Sequence, residues 1–365
     1  MISERNQIIK ILNKAENGRR ILPEEAVVLF HFDDLLLLGR VANTIARGKN
    51  GKVVSYIVDR NINYTNICIG NCHFCAFSRK PDAPDAYLLT YEQIEQKVTE
   101  LVNQGGTQVL FQGGLHPTLP LSWYTELIAQ MKKKFPKVVW HAFSPPEILH
   151  LSRVSGLSVR EVIKKLKEAG WESMPGGGAE ILSETIRVKM GKTKITTQEW
   201  LDIMELCHQE EIGTTATMMF GHIESIADRV EHLHHIRSLQ DRTGGFRAFI
   251  PWIFQPGNNP LGKKISYKAS AFEYLKTLAI SRIFLDNIRN IQGSWVTIGK
   301  KIGQLSLFFG ANDLGSTMLE ENVVAAAGCI NQIDEKEMIY LIQEAGFIPQ
   351  KRDTFYSYQK DTNVN

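Results

Sequence analysis

The sequence predicts an α/β chain folded as a TIM-type (βα) barrel behind a set of N-terminal helices. Three observations in its 365 residues lead there. Apolar, β-branched runs alternate with amphipathic ones, the pattern of parallel strands joined by crossover helices. Seven or eight such units fill roughly 280 residues, which suits one barrel. Six of the apolar runs end in glycine or polar residues, as barrel strands do where their C-terminal ends carry a site. A doubly wound open sheet is the structural alternative.

Residues 1–50 read as helices. "LPEEAVVLF" puts a proline and two acids where a first turn favours them, and "DDLLLLGRVANTIARGKNG" follows. The strand candidates are, in order, "VSYIVDRNINYT", "TQVLFQGG", "VVWHAFSP", "WESMPGGG", "TTATMMFGH", "FRAFIPWIF" and "IQGSWVTIG". The helices between them include "TYEQIEQKVTELVNQGG", "LSWYTELIAQMKKKF", "SVREVIKKLKEAG", "TQEWLDIMELCHQEE", "SIADRVEHLHHIRSLQ" and "SAFEYLKTLAISRIFLDN". Several open on Ser or Thr, as N-caps should, and several close on Gly. "GQLSLFFGAND" with "TMLEENVV" supplies a possible eighth unit. The barrel is thus assigned to residues 51–330, and residues 331–365 to a C-terminal helix and tail packed on it. The tail "QKRDTFYSYQKDTNVN" and the loop "FSRKPDAPDAY" read as loose, exposed pieces.

Composition narrows the function class. Lys and Arg number 42 against 39 Asp and Glu, a net charge of +3. Nucleic acid and membrane surfaces demand a stronger basic excess, so neither is expected as a partner. The N-terminus lacks the apolar core of a signal peptide. No apolar run approaches the roughly 18 residues of a membrane span. The expected compartment is the cytoplasm, where clustered cysteines point to metal binding or catalysis rather than disulfides.

"CIGNCHFC" sets Cys68, Cys72 and Cys75 in one loop after the first strand; the other two cysteines, Cys207 and Cys329, read as ordinary apolar residues. Three readings stand at this point. Buried structural cysteines do not explain a loop that also carries Gly70, Asn71 and His73. A zinc site would close its shell with four ligands, and beyond His73 no local fourth is at hand. A [4Fe–4S] cluster on three thiolates would leave one iron open.

The spacing C-x-x-x-C-x-x-C, with the aromatic Phe74 before the last cysteine, resembles the signature of the radical S-adenosylmethionine enzymes. The resemblance implies a barrel of the radical SAM kind, a [4Fe–4S] cluster on Cys68, Cys72 and Cys75, and S-adenosyl-L-methionine bound at the open iron as second cofactor. "NYTNICIGNCHFCAFSR" and "MPGGGAEIL" are similar to the branch that makes futalosine-type and deazaflavin compounds. "GTTATMMFGHIE", "TGGFRAFIPWIFQPGNNPL" and "GSWVTIGKKIGQLSLFFGANDLGSTMLEENVVAAAG" look most like its futalosine-cyclising members, which serve menaquinone biosynthesis. The resemblance therefore implies an enzyme with a small-molecule substrate, dehypoxanthine futalosine. Hydrogen would leave the ribose C4′, and the radical would close onto the benzoate ring. A reductant such as flavodoxin or ferredoxin is the implied protein partner. Aminofutalosine synthase and deazaflavin (FO) synthase chemistry are the alternatives within the branch, and a zinc-stabilised binding protein is the alternative outside it. "VKMGKTKIT" and "KPDAPDAY" depart from the branch pattern.

The resemblance also suggests roles at the other strand ends. Phe74, Gly113, Gly114, Glu147, Glu180 and Arg187 are expected at the cofactor, with Gly113 and Gly114 near the methionine amino group and Arg187 on its carboxylate. His116, Thr217, Trp252, Gln255 and Asn258 are expected at the substrate, and His222 or Glu224 as the base that takes the final proton. Three consecutive glycines, 176–178, imply a backbone that must come close to something. His232 and His235 in "HLHH" tempt a metal reading but lack a completing ligand, so they read as a solvated helix face. Asp286, Asn287, Asn312 and Asp313 are polar pairs at element ends that could meet ribose hydroxyls.

Overall fold

The computed structural model describes residues 2–358. Three helices, Ile2–Glu16, Pro23–Phe30 and Leu35–Asn50, come first, as expected. Pro23, with Glu24 and Glu25 in its first turn, starts the second, and the Asp34 side chain caps the third by accepting from the Leu37 N–H. The strands come next: β1 (Val53–Ile57), β2 (Asp59–Asn63), β3 (Gln108–Gln112), β4 (Val139–Ala142), β5 (Ser173–Met174), β6 (Gly213–Phe220), β7 (Phe246–Ile253), β8 (Asn290–Ile291), β9 (Asp313–Ser316) and β10 (Ile348–Lys351).

All pairings between these strands are parallel. β2 to β8 form one sheet in chain order, and β9 and β10 flank β1 in another. β1 runs into β2 through the single residue Val58. Gln292, just after β8, bridges Asp313 of β9, which pairs with Ser55 of β1 on its other side. The strands therefore run around a ring, the barrel that the alternating pattern predicts. Capped helices cover its outside. Thr90, Ser158, Thr196 and Ser225 each close a capping box on the residue three positions on. Trp140, Trp171, Trp200, Phe111 and Phe249 are among the large side chains fully buried in the wall.

Three sequence expectations need correction. Residues 291–299 are not a full strand: β8 ends at Ile291, and Trp295–Ile298 is a helical turn whose Trp295 Nε1 donates to the Ser316 carbonyl. The β-branched "WVTI" suggests a strand locally, but burial of the indole against β9 decides otherwise. The tail is not loose up to residue 358. After the helix Glu335–Glu344 it enters as β10, pairs with β1, and buries Arg352 and Thr354. Arg352 makes two contacts to the carboxylate of Asp313, Nε to Oδ2 at 2.6 Å and Nη2 to Oδ1 at 3.2 Å. Residues 359–365 of the tail lie outside the described residues. Finally, His232 is fully buried, not solvated; its Nδ1 accepts from the Leu182 N–H. Among the described residues, no helix is long and apolar enough to cross a membrane.

Candidate active site

The cysteine loop leaves the C-terminal end of β2 and is held from several sides. Asn71 N–H donates to Thr193 Oγ1 at 3.0 Å, and His73 N–H to the Met190 carbonyl at 2.8 Å. The His73 carbonyl accepts from Leu261 N–H at 2.8 Å. Cys68 Sγ accepts from the N–H groups of Gly70 and Leu115, each at 3.3 Å. All five cysteines are free thiols. Cys68, Cys72 and Cys75 line one cavity of about 290 Å³ at the barrel mouth. Burial pushes the Cys72 thiol up to about 12, although Lys194 opposes that shift; iron at that sulfur would take the proton's place.

No group of three or more His, Cys, Asp or Glu side chains among the described residues converges on a single-ion site. The three thiols line one cavity together. Their number, the two N–H bonds that Cys68 accepts and the cavity they share fit the cluster.

Phe74, Gly113, Gly114, Glu147, Glu180 and Trp252 line this cavity with them. A Cβ on Gly114 would sit 2.2 Å from the Ile67 carbonyl oxygen, and one on Gly113 would sit 2.6 Å from the Tyr64 ring. The close approach inferred there is to the protein's own loop. Glu147 is buried in the first turn of the helix Pro145–Ser155 and accepts from Ser144 Oγ, Tyr64 Oη and Gly113 N–H at 2.6, 3.0 and 3.1 Å. Burial pushes its carboxyl up to about 7 against those bonds.

The glycine run explains itself in the same way. A Cβ on Gly176 would meet the Thr217 amide nitrogen at 2.7 Å, so this segment lies directly on β6. Gly178 takes φ +80°, and Glu180 beyond it φ 41°, a conformation that costs a non-glycine residue on the order of 1 kcal/mol or more. That backbone turns the Glu180 carboxylate into the cavity, where it pairs with Lys194. Lys194 Nζ also donates to the Gly178 carbonyl at 3.0 Å and lies 5.2 Å from the centre of the Phe74 ring.

A second cavity of about 250 Å³ lies deeper in the barrel, reaching Asp59 and Gln108 at their strand starts. It shares Gln112, Gly177, Gly178, Glu180 and Trp252 with the first, so the two adjoin. Thr215 and Thr217 face it from β6; Thr215 Oγ1 accepts from Gly176 N–H and Thr217 Oγ1 donates to the Gly176 carbonyl. His141 and Gln292 line it, and Arg352, Thr354 and Tyr356 of the tail line it too.

Several expected residues are elsewhere. Arg187 is buried, but its guanidinium donates to the carbonyls of Gly178, Ala179, Ile181 and Ile195, so it staples the glycine segment and has no N–H left for a cofactor carboxylate. His222 and Glu224 line neither cavity. Glu224 accepts from Gly221 and His222 N–H and from Arg229, and the His222 imidazole lies 3.0 Å away; that imidazole first, then Arg229 and the Gly221 N–H, hold its carboxyl at about 2 despite burial. A carboxylate so held is a poor proton acceptor. His116 stands outside both cavities, its Nδ1 accepting from Thr118 N–H. Gln255 donates to the Ile253 and Thr297 carbonyls, and exposed Asn258 donates to the Ala326 carbonyl. Asp286 pairs with Arg20, Asn287 with Asp241, and Asn312 with Arg282, all remote from the mouth.

Sequence reasoning missed Lys194, Gln112, His141 and Thr354. Gln112 and His141 carried a signal, as polar residues inside apolar strands. Nothing local marked Lys194, which sits in the segment that departs from the branch pattern.

Comparison with known proteins agrees with this geometry. Residues 62–236 match the family model described as the Radical SAM superfamily, and residues 243–364 match that of the CofH/MqnC C-terminal region. A relative from Halalkalibacterium halodurans named cyclic dehypoxanthine futalosine synthase is 45% identical over 95% of this chain and 93% of its own. One of the same name from Streptomyces coelicolor is also 45% identical, over 98% and 90%. A 5-amino-6-(D-ribitylamino)uracil–L-tyrosine 4-hydroxyphenyl transferase from Methanococcoides burtonii is 42% identical over 91% and 94%. Among solved structures, the [FeFe]-hydrogenase maturase HydG superposes with a TM-score of 0.76 at 19% identity, covering 96% of this chain and 77% of that one, a likeness of fold.

Proposed function

The chain belongs to the radical SAM superfamily, in its CofH/MqnC group, and we propose that it converts dehypoxanthine futalosine to cyclic dehypoxanthine futalosine in menaquinone biosynthesis. The observation that carries this reading is the 45% identity to two synthases of that name across at least nine-tenths of both chains. Cys68, Cys72 and Cys75 would hold a [4Fe–4S] cluster, with S-adenosyl-L-methionine beside it in the mouth cavity. When bound, that pair supplies a carbon radical able to remove hydrogen from an unactivated sugar carbon.

The chain's own part is binding, orientation and exclusion of water. Glu180, fixed by Lys194, presents acceptor oxygens to the mouth cavity. Trp252 belongs to both cavities and stands where they join. The deeper cavity, with Thr217, His141 and the Trp252 ring, offers the aryl-ribose substrate both hydrogen-bonding and stacking surfaces. Buried Arg352 and Thr354, with Tyr356, line that space from the C-terminal segment. The reaction removes one hydrogen atom from C4′ and, after ring closure, one proton and one electron. Substrate deuterated at C4′ tests the reading: the label should appear in free 5′-deoxyadenosine, and its retention in the product would overturn the assigned abstraction.

The transferase relative supports a second reading, radical transfer of a 4-hydroxyphenyl group from tyrosine, because it too matches nearly the whole chain. Its lower identity, 42% against 45%, places it second.

A further inference from the structure

Two segments clamp the outer side of the cysteine loop, and both are basic. One is residues 189–193, where the Lys189 carbonyl lies 3.0 Å from His73 Nδ1, the Met190 carbonyl accepts from His73 N–H, and Thr193 Oγ1 accepts from Asn71 N–H. It carries exposed Lys189 and Lys192. The other holds Leu261, whose N–H donates to the His73 carbonyl, and continues into the short helix Gly262–Lys264 with exposed Lys263 and Lys264. Unlike Lys194, which is buried against Glu180, none of these four has a carboxylate partner among the described residues. Four unpaired positive charges around one loop exceed the net +3 of the entire chain, so the remaining residues together are close to neutral. Two large apolar side chains of the same segments are bare, Ile69 of the cysteine loop at 51% and Val188, next to Lys189 in the chain, at 69% exposure. Exposed apolar side chains together with charges of one sign suit a small, transient protein interface that is steered by electrostatics.

We infer that this face docks a small acidic one-electron carrier protein, and that Lys189, Lys192, Lys263 and Lys264 are its docking residues. The inference rests on the proposed function in that a cluster at Cys68, Cys72 and Cys75 needs an electron. His73 and Asn71 make the lysine segments direct contacts of the ligand loop, so a carrier seated there lies against the loop that would hold the cluster. Long-range attraction between opposite charges raises association rates by roughly 10- to 1,000-fold and fades as salt rises.

The test compares wild type with K189E/K192E and K263E/K264E, using the cluster-loaded enzyme and reduced flavodoxin as the probe. All four side chains are exposed, so the fold should survive, and dithionite-driven turnover serves as the control. The expected result is dithionite turnover equal to wild type, flavodoxin-driven turnover lower by about tenfold or more, weaker flavodoxin binding in a fluorescence titration, and loss of the salt dependence that wild type shows. Equal flavodoxin affinity and rate in wild type and both variants at low salt would overturn the assignment of this face. If wild type fails to turn over dehypoxanthine futalosine with dithionite, the proposed substrate falls, and the flavodoxin titration still decides the docking surface on its own.

Discussion

Lys194 is the residue on which the mouth cavity depends most, and Lys194→Met tests that directly. The ammonium and the Glu180 carboxylate form an ion pair whose side chains are only 3% and 8% exposed. Removing one partner of such a pair leaves an uncompensated buried charge and costs about 3–5 kcal/mol. The hydrogen bond to the Gly178 carbonyl and the contact with the Phe74 ring go as well, adding about 1 kcal/mol. A loss of roughly 4–6 kcal/mol is a large share of the 5–15 kcal/mol that folded proteins possess. Lys194→Met with Glu180→Gln removes the stranded charge, so the double variant should regain at least about 2 kcal/mol over the single one. Urea unfolding of wild type, both single variants and the double variant gives the comparison. A single variant within about 1 kcal/mol of wild type, or a double variant no better than the single, would refute the buried pair.

Glu147 titrates near 7 in the fold because burial outweighs its three hydrogen bonds, whereas an unfolded glutamate titrates near 4.3. The native state therefore keeps its proton longer, and stability is lost as pH rises from about 4.5 to 7, by roughly 3–4 kcal/mol in all. Glu147→Gln cannot ionise and should show about 2–3 kcal/mol less decline between pH 5 and 8; parallel urea midpoints for the two proteins would contradict the assignment. Glu224→Gln loosens a buried contact with Arg229 and should cost about 3 kcal/mol of stability. Its turnover per folded molecule should escape the roughly 10²–10⁴-fold loss of a missing general base; such a loss in a folded variant would return the pair to catalysis. Thr354 Oγ1 is buried in the deeper cavity without a hydrogen-bond partner. If it meets the substrate, Thr354→Val should raise KM by about tenfold with kcat little changed; an unchanged KM with a more stable protein would show that the hydroxyl meets nothing.

The barrel was legible because its signals are periodic and local. Strands such as β3, β6 and β7 are apolar runs ending in glycine or polar residues, and the helices between them carry their own caps. The cysteine site was legible because three cysteines in eight residues have few other uses. The hidden features depend on chain segments far apart in sequence. Arg187 and Lys194 are both basic residues near the glycine run. Only packing decides that the first binds four backbone carbonyls while the second faces the cavity. His222 and Glu224 stand at a strand end where a base is expected, yet Arg229, one turn into the next helix, claims the carboxylate. The tail looked loose because its polar residues have no local periodicity. Their partners, Asp313 and the edge of β1, lie in other parts of the chain.

Hydrogen abstraction from a futalosine-type nucleoside, followed by its cyclisation, is the central claim. The most direct measurement supplies anaerobic, cluster-reconstituted protein with dithionite and S-adenosylmethionine, and offers dehypoxanthine futalosine, an enolpyruvyl benzoate, or tyrosine with the ribitylaminouracil in separate reactions. Mass spectrometry identifies the products. The predicted outcome is free 5′-deoxyadenosine and a product two hydrogens lighter than dehypoxanthine futalosine, in equal amounts and in that reaction alone. A deoxyadenosyl adduct of the benzoate, or a 4-hydroxyphenyl transfer product from tyrosine with no change to dehypoxanthine futalosine, would contradict it.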